Sequence, residues 1–256
     1  MNIIWGYDMS EKMSLKELLQ TQEYKESNTV LPIILGVDTQ NKVTIEDLRD
    51  VFSILIGGNS GSGKTTLINT LLTSLTTKLS EKECKIAIFS SKSGDFKQWN
   101  NDKHVFIQSG TNDCVAHFNS ILKIIDDRSR ILSENNASNA MAYRNKTHNS
   151  DMPCIVVIMD DLSDFIQCSD NDTRNFIKTI CAKSNMVDIY VITATNQYDL
   201  LDDITKAHFI TRIAFKTNNY TESVAILEES GAESLSKGDV LYSCGGRIPL
   251  KIHTTK

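Results

Sequence analysis

The residues able to do chemistry fall in three short stretches. Gly58-Asn59-Ser60-Gly61-Ser62-Gly63-Lys64-Thr65 fits the pattern G-x-x-x-x-G-K-[ST], and Thr66 follows it. Glycines at these spacings let the backbone curl so that successive N–H groups point inward at phosphate oxygens. A helix opening at the end of such a loop adds about half a positive charge. Lys64 is then placed to neutralise the β- and γ-phosphates, and the Thr65 hydroxyl is offered to Mg²⁺. Thr66 is the candidate for an α-phosphate contact. The expected ligands are ATP and Mg²⁺.

The second stretch, Ile155-Val156-Val157-Ile158-Met159-Asp160-Asp161, ends an apolar run on two carboxylates. Asp160 is placed to hold Mg²⁺ through water, and Asp161 to orient or deprotonate an attacking water. The bland alternative is a pair of aspartates capping a helix that begins at Leu162. The third stretch is Thr193-Ala194-Thr195-Asn196-Gln197. A polar residue there can sense a γ-phosphate; Asn196 is favoured and Thr195 comes second, with a helix cap as the alternative.

These groups need strand ends to position them. Ser14 to Glu26 reads as one amphipathic helix, with Ser14 and Glu17 forming a capping box. Strands are expected at 31–36 and 42–45, then at Phe52 to Ile56, which leads into the glycine loop and a helix from Lys64 to about Leu79. Further strands fall at 85–89, 105–107, 154–159, 189–193, 209–215, 240–242 and 248–252. Helices fall between them: a long one carrying Val115, Phe118, Ile121, Leu122, Ile125 and Leu132, one at 173–183 and one at 221–230. The polar stretch Ser133 to Asn149 reads as a frayed helix end or a loop. Alternation of helices with apolar, β-branched strands implies an α/β fold, a mostly parallel sheet covered on both faces. Residues 1–50 read as an N-terminal extension packed on a core of residues 51–256.

Composition sets the outer limits. With 40% hydrophobic and 23% charged residues, the 256-residue chain is neither disordered nor a disulfide mini-protein. Its net charge of −5 argues against a protein that simply coats nucleic acid, so DNA handling would need a local basic surface. Lys92, Lys97, Lys103, Arg144 and Lys146 lie in expected loops and are candidate DNA contacts, although solvated charge is the ordinary reading of each. Six scattered cysteines with no C-x-x-C pair fit a reducing, cytoplasmic setting. The longest apolar run, Cys154 to Met159, is too short to span a membrane, and the first residues show no signal-peptide pattern. The five histidines show no metal-ligand spacing.

With the three stretches in place, the chain resembles the motor domain of the FtsK/SpoIIIE family, of the HerA/FtsK group of P-loop ATPases. The likeness runs from about Ser14 to His253. It includes the lead-in "SLKELL…LPIILGVD", the loop "GGNSGSGKTTLINTLLTSL", and "PCIVVIMDDLSDFI". It continues through "ITATNQ", "ITRIAF" and the family-specific tail "ESVAILEESGAESLSKGDVLY". The resemblance implies a RecA-like core in a hexameric ring, ATP at subunit interfaces and double-stranded DNA in the channel. It carries nucleotide binding to Gly58, Gly61, Gly63, Lys64, Thr65 and Thr66, Mg²⁺ to Asp160, the catalytic glutamate position to Asp161 and a sensor glutamine position to Asn196. It also implies a motor core without membrane anchor or DNA-reading module.

The departures are specific. Asp161 is one methylene shorter than glutamate. Asn185 stands at or near a family arginine, and an arginine finger is worth about 10³–10⁵ in rate. Arg212 or another subunit's arginine would have to substitute. Ser90-Ser91-Lys92 replaces D-P-K, and Asn196-Gln197-Tyr198 replaces Q-R-P. Three readings follow: a DNA-translocating ring ATPase, a protein-moving module like the type VII secretion ATPases with membrane-anchored or secretion partners, and a nucleotide-binding interaction subunit that hydrolyses little.

Overall fold

The computed structural model describes residues 13–92, 94–148 and 152–255. The first twelve residues of the expected extension, and Asn149 at the end of the polar stretch, lie outside them. In chain order the elements are α1 (Leu15–Gln20), α2 (Gln22–Lys25), β1 (Pro32–Asp38), β2 (Val43–Asp47), α3 (Leu48–Val51), β3 (Ile54–Gly57) and α4 (Lys64–Lys78). Then come β4 (Cys84–Ser90), β5 (Val105–Ser109), α5 (Thr111–Glu134), α6 (Ala140–Thr147), β6 (Cys154–Asp160), α7 (Leu162–Cys168) and α8 (Asp170–Val187). The chain closes with β7 (Ile189–Thr195), α9 (Asp203–Ala207), β8 (Thr211–Ala214), α10 (Tyr220–Leu227), β9 (Asp239–Cys244) and β10 (Leu250–His253).

All these strands join one sheet in the order β2-β1-β10-β9-β8-β3-β7-β6-β4-β5. From β8 to β5 the neighbours are parallel. From β8 to β2 they are antiparallel, so β1 and β2 continue the same sheet through β10. The α/β, largely parallel architecture is the one expected from the alternation. The antiparallel half follows from short links: β9 and β10 are joined by a tight turn at Gly245-Gly246, both at positive φ, which leaves no room for a crossover helix.

Strand alternation builds two cores. Ile54, Ile56, Ile86, Ile88, Val156 and Ile158 face one side with Leu67, Leu71 and Leu75 of α4. Leu55, Ala87, Phe89, Val157 and Met159 face the other with Phe118, Phe165 and Phe176 of α5, α7 and α8. Residues on both sides are buried, which explains why β3, β6 and β7 read as unbroken apolar runs.

Several local expectations need correction. The helix expected over Ser14 to Glu26 breaks at Thr21, which is extended (φ −63°, ψ 151°). Its hydroxyl donates to the Leu18 carbonyl at 2.7 Å, a bond that competes with the helix. The Ser14–Glu17 capping box is formed. The polar stretch after Ser133 contains a helix, α6, capped by the Asn139 side chain on the Ala142 N–H at 2.8 Å. Ala140 is its one buried residue, so it carries no apolar stripe that periodicity could reveal. The strand expected from Phe52 starts at Ile54, because α3 precedes it and Phe52 turns the chain at φ 54°.

The end of the sheet away from the glycine loop is held by arginines. Buried Arg128 donates to the carbonyls of Val187 (2.7 Å) and Pro153 (2.6 Å). Arg144 pairs with Asp188, whose other oxygen accepts from the Tyr190 hydroxyl at 3.0 Å.

Candidate nucleotide-binding site

The site is made by strand order. β7 lies between β3 and β6, with Gly57 beside Thr195 and Met159 beside Thr193. Three neighbouring parallel strands span about 10 Å at the usual spacing. The glycine loop, Asn196 and Asp160 therefore leave one sheet edge side by side.

The loop conformation depends on glycine. Gly58 sits at φ +145°, and a Cβ there would lie 2.5 Å from the Phe215 Cβ. Gly63 sits at φ +121° immediately before α4. The loop is braced from outside: the Asn59 N–H donates to the Lys216 carbonyl at 3.0 Å, and its side-chain amide to the Asn218 oxygen at 3.0 Å. Lys64 folds back, its Nζ donating to the carbonyls of Gly58 (2.7 Å) and Asn59 (2.9 Å).

A cavity of about 260 Å³ opens over the loop. Of the residues singled out by sequence, Ser60, Gly61, Gly63, Lys64, Thr65, Thr66, Asp160, Asp161 and Asn196 line it. Gly58 and Asn59 stand behind, reached through the Lys64 bonds, and Ser62 faces a neighbouring cavity. Thr195, the second choice for a sensor, is fully buried, and its hydroxyl accepts the Gln197 N–H at 3.2 Å.

Charges in the cavity are coupled. Burial pushes the Asp160 carboxyl up to about 6, aided by Asp95 and Asp161 and opposed by Lys64 and Lys92. Burial also raises Asp161, although its hydrogen bond from Ser163 pulls the other way. Burial lowers Lys64, against the pull of Asp161 and Asp160. A dense acidic pair whose ionised forms lack full compensation suits a bound cation. The Asn196 side-chain oxygen is buried in the same cavity without a partner among the described residues. An orphaned buried acceptor is costly unless a ligand or water completes it. Asp161 itself sits at φ +67°, in the left-handed region, and lines the cavity.

Sequence reasoning missed part of this wall. Ser91, Lys92 and Asp95, from the segment after β4, line the cavity opposite the loop. Ser91 and Lys92 are legible only as a departure from the family's D-P-K and, for Lys92, as a candidate DNA contact, and Asp95 belongs to no motif. The other candidate DNA contacts also change: Arg144 and Lys146 lie on α6, Arg144 pairing with Asp188 and Lys146 donating to the Asn135 carbonyl at 2.7 Å. Arg212, the candidate substitute finger, is committed within its own subunit. It donates to Glu228 (2.8 Å) and to the carbonyls of Ile226, Lys206 and Phe209 (3.1–3.3 Å). Asn185 is an exposed residue in the last turn of α8.

Comparison with known proteins identifies the family and the fold. The model of the FtsK/SpoIIIE family matches residues 14–200. A DNA translocase FtsK from Clostridium acetobutylicum is 30% identical over 249 residues, covering 93% of this chain and 32% of that protein. A DNA translocase FtsK from Chlorobaculum tepidum is 29% identical over 242 residues, covering 89% and 30%. The chain thus spans about a third of the length of the curated relatives it matches. Among solved structures, the cytoplasmic domain of the type VII secretion ATPase EccC from Thermomonospora curvata superposes with a TM-score of 0.84 at 18% identity, over 96% of this chain and 32% of that one. The pCW3 conjugation coupling protein TcpA with ATPγS gives 0.79 at 17% identity, over 92% and 68%. These likenesses establish the fold as that of the RecA-like P-loop ATPases.

Proposed function

The chain belongs to the FtsK/SpoIIIE family, and from that premise we propose that it is the ATP-binding and ATP-hydrolysing core of a ring motor that translocates double-stranded DNA. The observation that carries the reading is the convergence of Lys64, Asp160, Asp161 and Asn196 on one cavity above a glycine loop. The cargo is proposed from the curated relatives, which are named DNA translocases.

In this reading the loop amides that follow Asn59 cradle the phosphates, and Lys64 exchanges its two carbonyl partners for phosphate oxygens. Thr65 and Asp160 would hold Mg²⁺, which would supply neutralisation of phosphate charge. Asp161 holds the attacking water and accepts its proton. Asn196 has a free acceptor for that water, and after a half-turn its amide presents a donor to the γ-phosphate instead. Residues 51–256 carry the ATPase site in this reading, and the preceding segment adds β1 and β2 to the same sheet. The acting species is a hexamer, located in the cytoplasm, whose finger arginine comes from a neighbouring subunit, since Arg212 is occupied. No helix among the described residues is long and apolar enough to cross a membrane.

A slow-hydrolysing variant of the same reading is favoured by one observation, the short Asp161 side chain tied to Ser163. The deciding experiment measures the ATPase rate with and without long duplex DNA, alongside the mass of the assembled species. Stimulation by DNA in a hexamer supports the motor. Binding of ATP with no DNA stimulation in an assembled sample refutes DNA translocation.

A further inference from the structure

Tyr198, two residues beyond Asn196, is 5% exposed, and its hydroxyl is buried without a hydrogen-bond partner among the described residues. We infer that Tyr198 is a positioning residue for the nucleotide-bound loop: its hydroxyl takes over the Gly58 carbonyl when Lys64 turns to phosphate, and so ties the Asn196 segment to the loop. The inference rests on the nucleotide reading of the loop and adds a residue to it.

The strand geometry puts the two groups on one side. β3 lies between β8 and β7. The Gly57 carbonyl accepts the Phe215 N–H at 2.8 Å, and the Asn59 N–H donates to the Lys216 carbonyl at 3.0 Å, so both point toward the β8 side. The N–H and C=O of one trans peptide point in opposite directions. The Gly58 N–H and C=O, the other halves of those two peptides, therefore both face the β7 side. Asn196 to Tyr198 continue the chain from the end of β7. The Tyr198 ring reaches this point: a Cβ on Gly57 would lie 2.9 Å from its Cε1, the ring carbon beside the one that bears the hydroxyl. Burial pushes the phenol pKa up, and the Gly58 backbone beside it pulls the other way.

Lys64 decides when the carbonyl is open. Its ammonium donates to the carbonyls of Gly58 and Asn59. The Asn59 carbonyl also accepts the Ser62 N–H at 3.2 Å, so it keeps a donor when Lys64 leaves. Buried Gly58 has no second donor to its carbonyl among the described residues. Lys64 departure thus creates an open buried acceptor next to a buried donor with nothing to donate to. Each alone costs stability, and one hydrogen bond between them removes both penalties.

Ser62 is the competing donor. Its hydroxyl is also buried and unpartnered, and it lies 3.0 Å from the place of a Gly58 Cβ. A Cβ projects to a face of the sheet, across the direction of the N–H and C=O, so Ser62 stands off the line of the carbonyl. The Tyr198 ring packs with Ala214, Ile226, Leu227 and Leu235. Its bond to Gly58 therefore joins the loop, the Asn196 segment and α10 when nucleotide is bound.

Tyr198→Phe removes the hydroxyl and keeps the ring, and two measurements on the full chain test it. In calorimetric titration with Mg-ATP, Tyr198→Phe should raise Kd roughly three- to tenfold, and Ser62→Ala should leave it within about twofold. In urea denaturation without nucleotide, Tyr198→Phe should leave the folding equilibrium constant within about twofold or raise it, since an unpaired group is removed. In a Lys64→Ala background, where the Gly58 carbonyl is already released, the same change should lower that constant roughly three- to tenfold. A residue that only packs would move stability alike in both backgrounds and leave Kd in place; that result overturns the inference. Weakened ATP binding in Ser62→Ala in place of Tyr198→Phe overturns it too. If Lys64→Ala gives no cooperative transition, the Kd of Tyr198→Phe decides. A wild type that binds no Mg-ATP refutes the nucleotide reading itself, and the denaturation cycle then decides the handover alone.

Discussion

The ammonium of Lys64 donates at 2.7 Å to the carbonyl oxygen of Gly58, the residue that opens the same loop. The lysine thus closes its own loop, with a second bond to Asn59 at 2.9 Å. The cradle is held in shape before any phosphate arrives, by the group that a phosphate would recruit. Ligand binding then exchanges neutral acceptors for charged ones, which make the stronger bonds.

Lys64→Ala should therefore show two separable effects. The ligand-free protein loses two loop bonds, about 1–2 kcal/mol of stability. ATP-induced stabilisation, about 2.7 kcal/mol at a hundredfold excess over Kd for the wild type, should vanish. Thermal melting with and without Mg-ATP checks both. A variant that ATP still stabilises to the wild-type extent refutes the role given to Lys64.

Asp161→Glu should speed hydrolysis. The extra methylene carries the carboxylate about 1 Å further toward the water, and misplacement on that scale costs up to about a hundredfold in rate. The expected gain in kcat is about ten- to a hundredfold, with ATP affinity unchanged within about twofold. Steady-state ATPase assays on the assembled protein measure it. An unchanged or lower kcat would mean that Asp161 is not the group that addresses the water.

Arg212→Ala should behave as a structural lesion. Its guanidinium bonds Glu228 and three carbonyls from α9, the segment before β8 and α10. Its loss should cost about 2–3 kcal/mol in chemical denaturation. The kcat per folded subunit should stay within about twofold. A drop of about 10³ at unchanged stability would instead identify it as the arginine finger.

Arg128→Met tests the other end of the sheet. Burial lowers the Arg128 guanidinium to about 10, so the charge is held at a cost. Exchanging a buried charge for an apolar group can be neutral when its partner leaves too. Here the partners are the Val187 and Pro153 carbonyls, which stay behind without a donor. The expected loss is about 2–4 kcal/mol in urea denaturation. The Kd for ATP should not move, and a change above about threefold would show that the two sheet ends are coupled.

Much of the site was legible before the structure because its signals are local. A glycine pattern encodes a loop through φ angles that other residues avoid, as at Gly58 and Gly63. An apolar run ending on two aspartates encodes a buried strand and its edge, as at Cys154 to Asp160. The misses are of a different kind. Asp95 reaches the cavity only because β4 pairs with β6, which brings the segment after β4 beside Asp160. The break at Thr21 hangs on one side-chain hydrogen bond that competes with a helical one. α6 buries only Ala140 and so shows no apolar periodicity.

The sequence by itself determined the α/β class, the phosphate loop and the order in which the reactive groups occur, because φ preference and hydrophobic period act over a few residues. Only the tertiary structure decided that β7 lies between β3 and β6, which puts Asn196 between Lys64 and Asp160. It also decided that Arg212 is occupied, and that the tail closes a second cavity against Ser62 and Thr66. Those facts depend on which strands pair and which chain ends meet. Pairing is fixed by burial on both sheet faces at once, a condition that no short stretch of sequence contains.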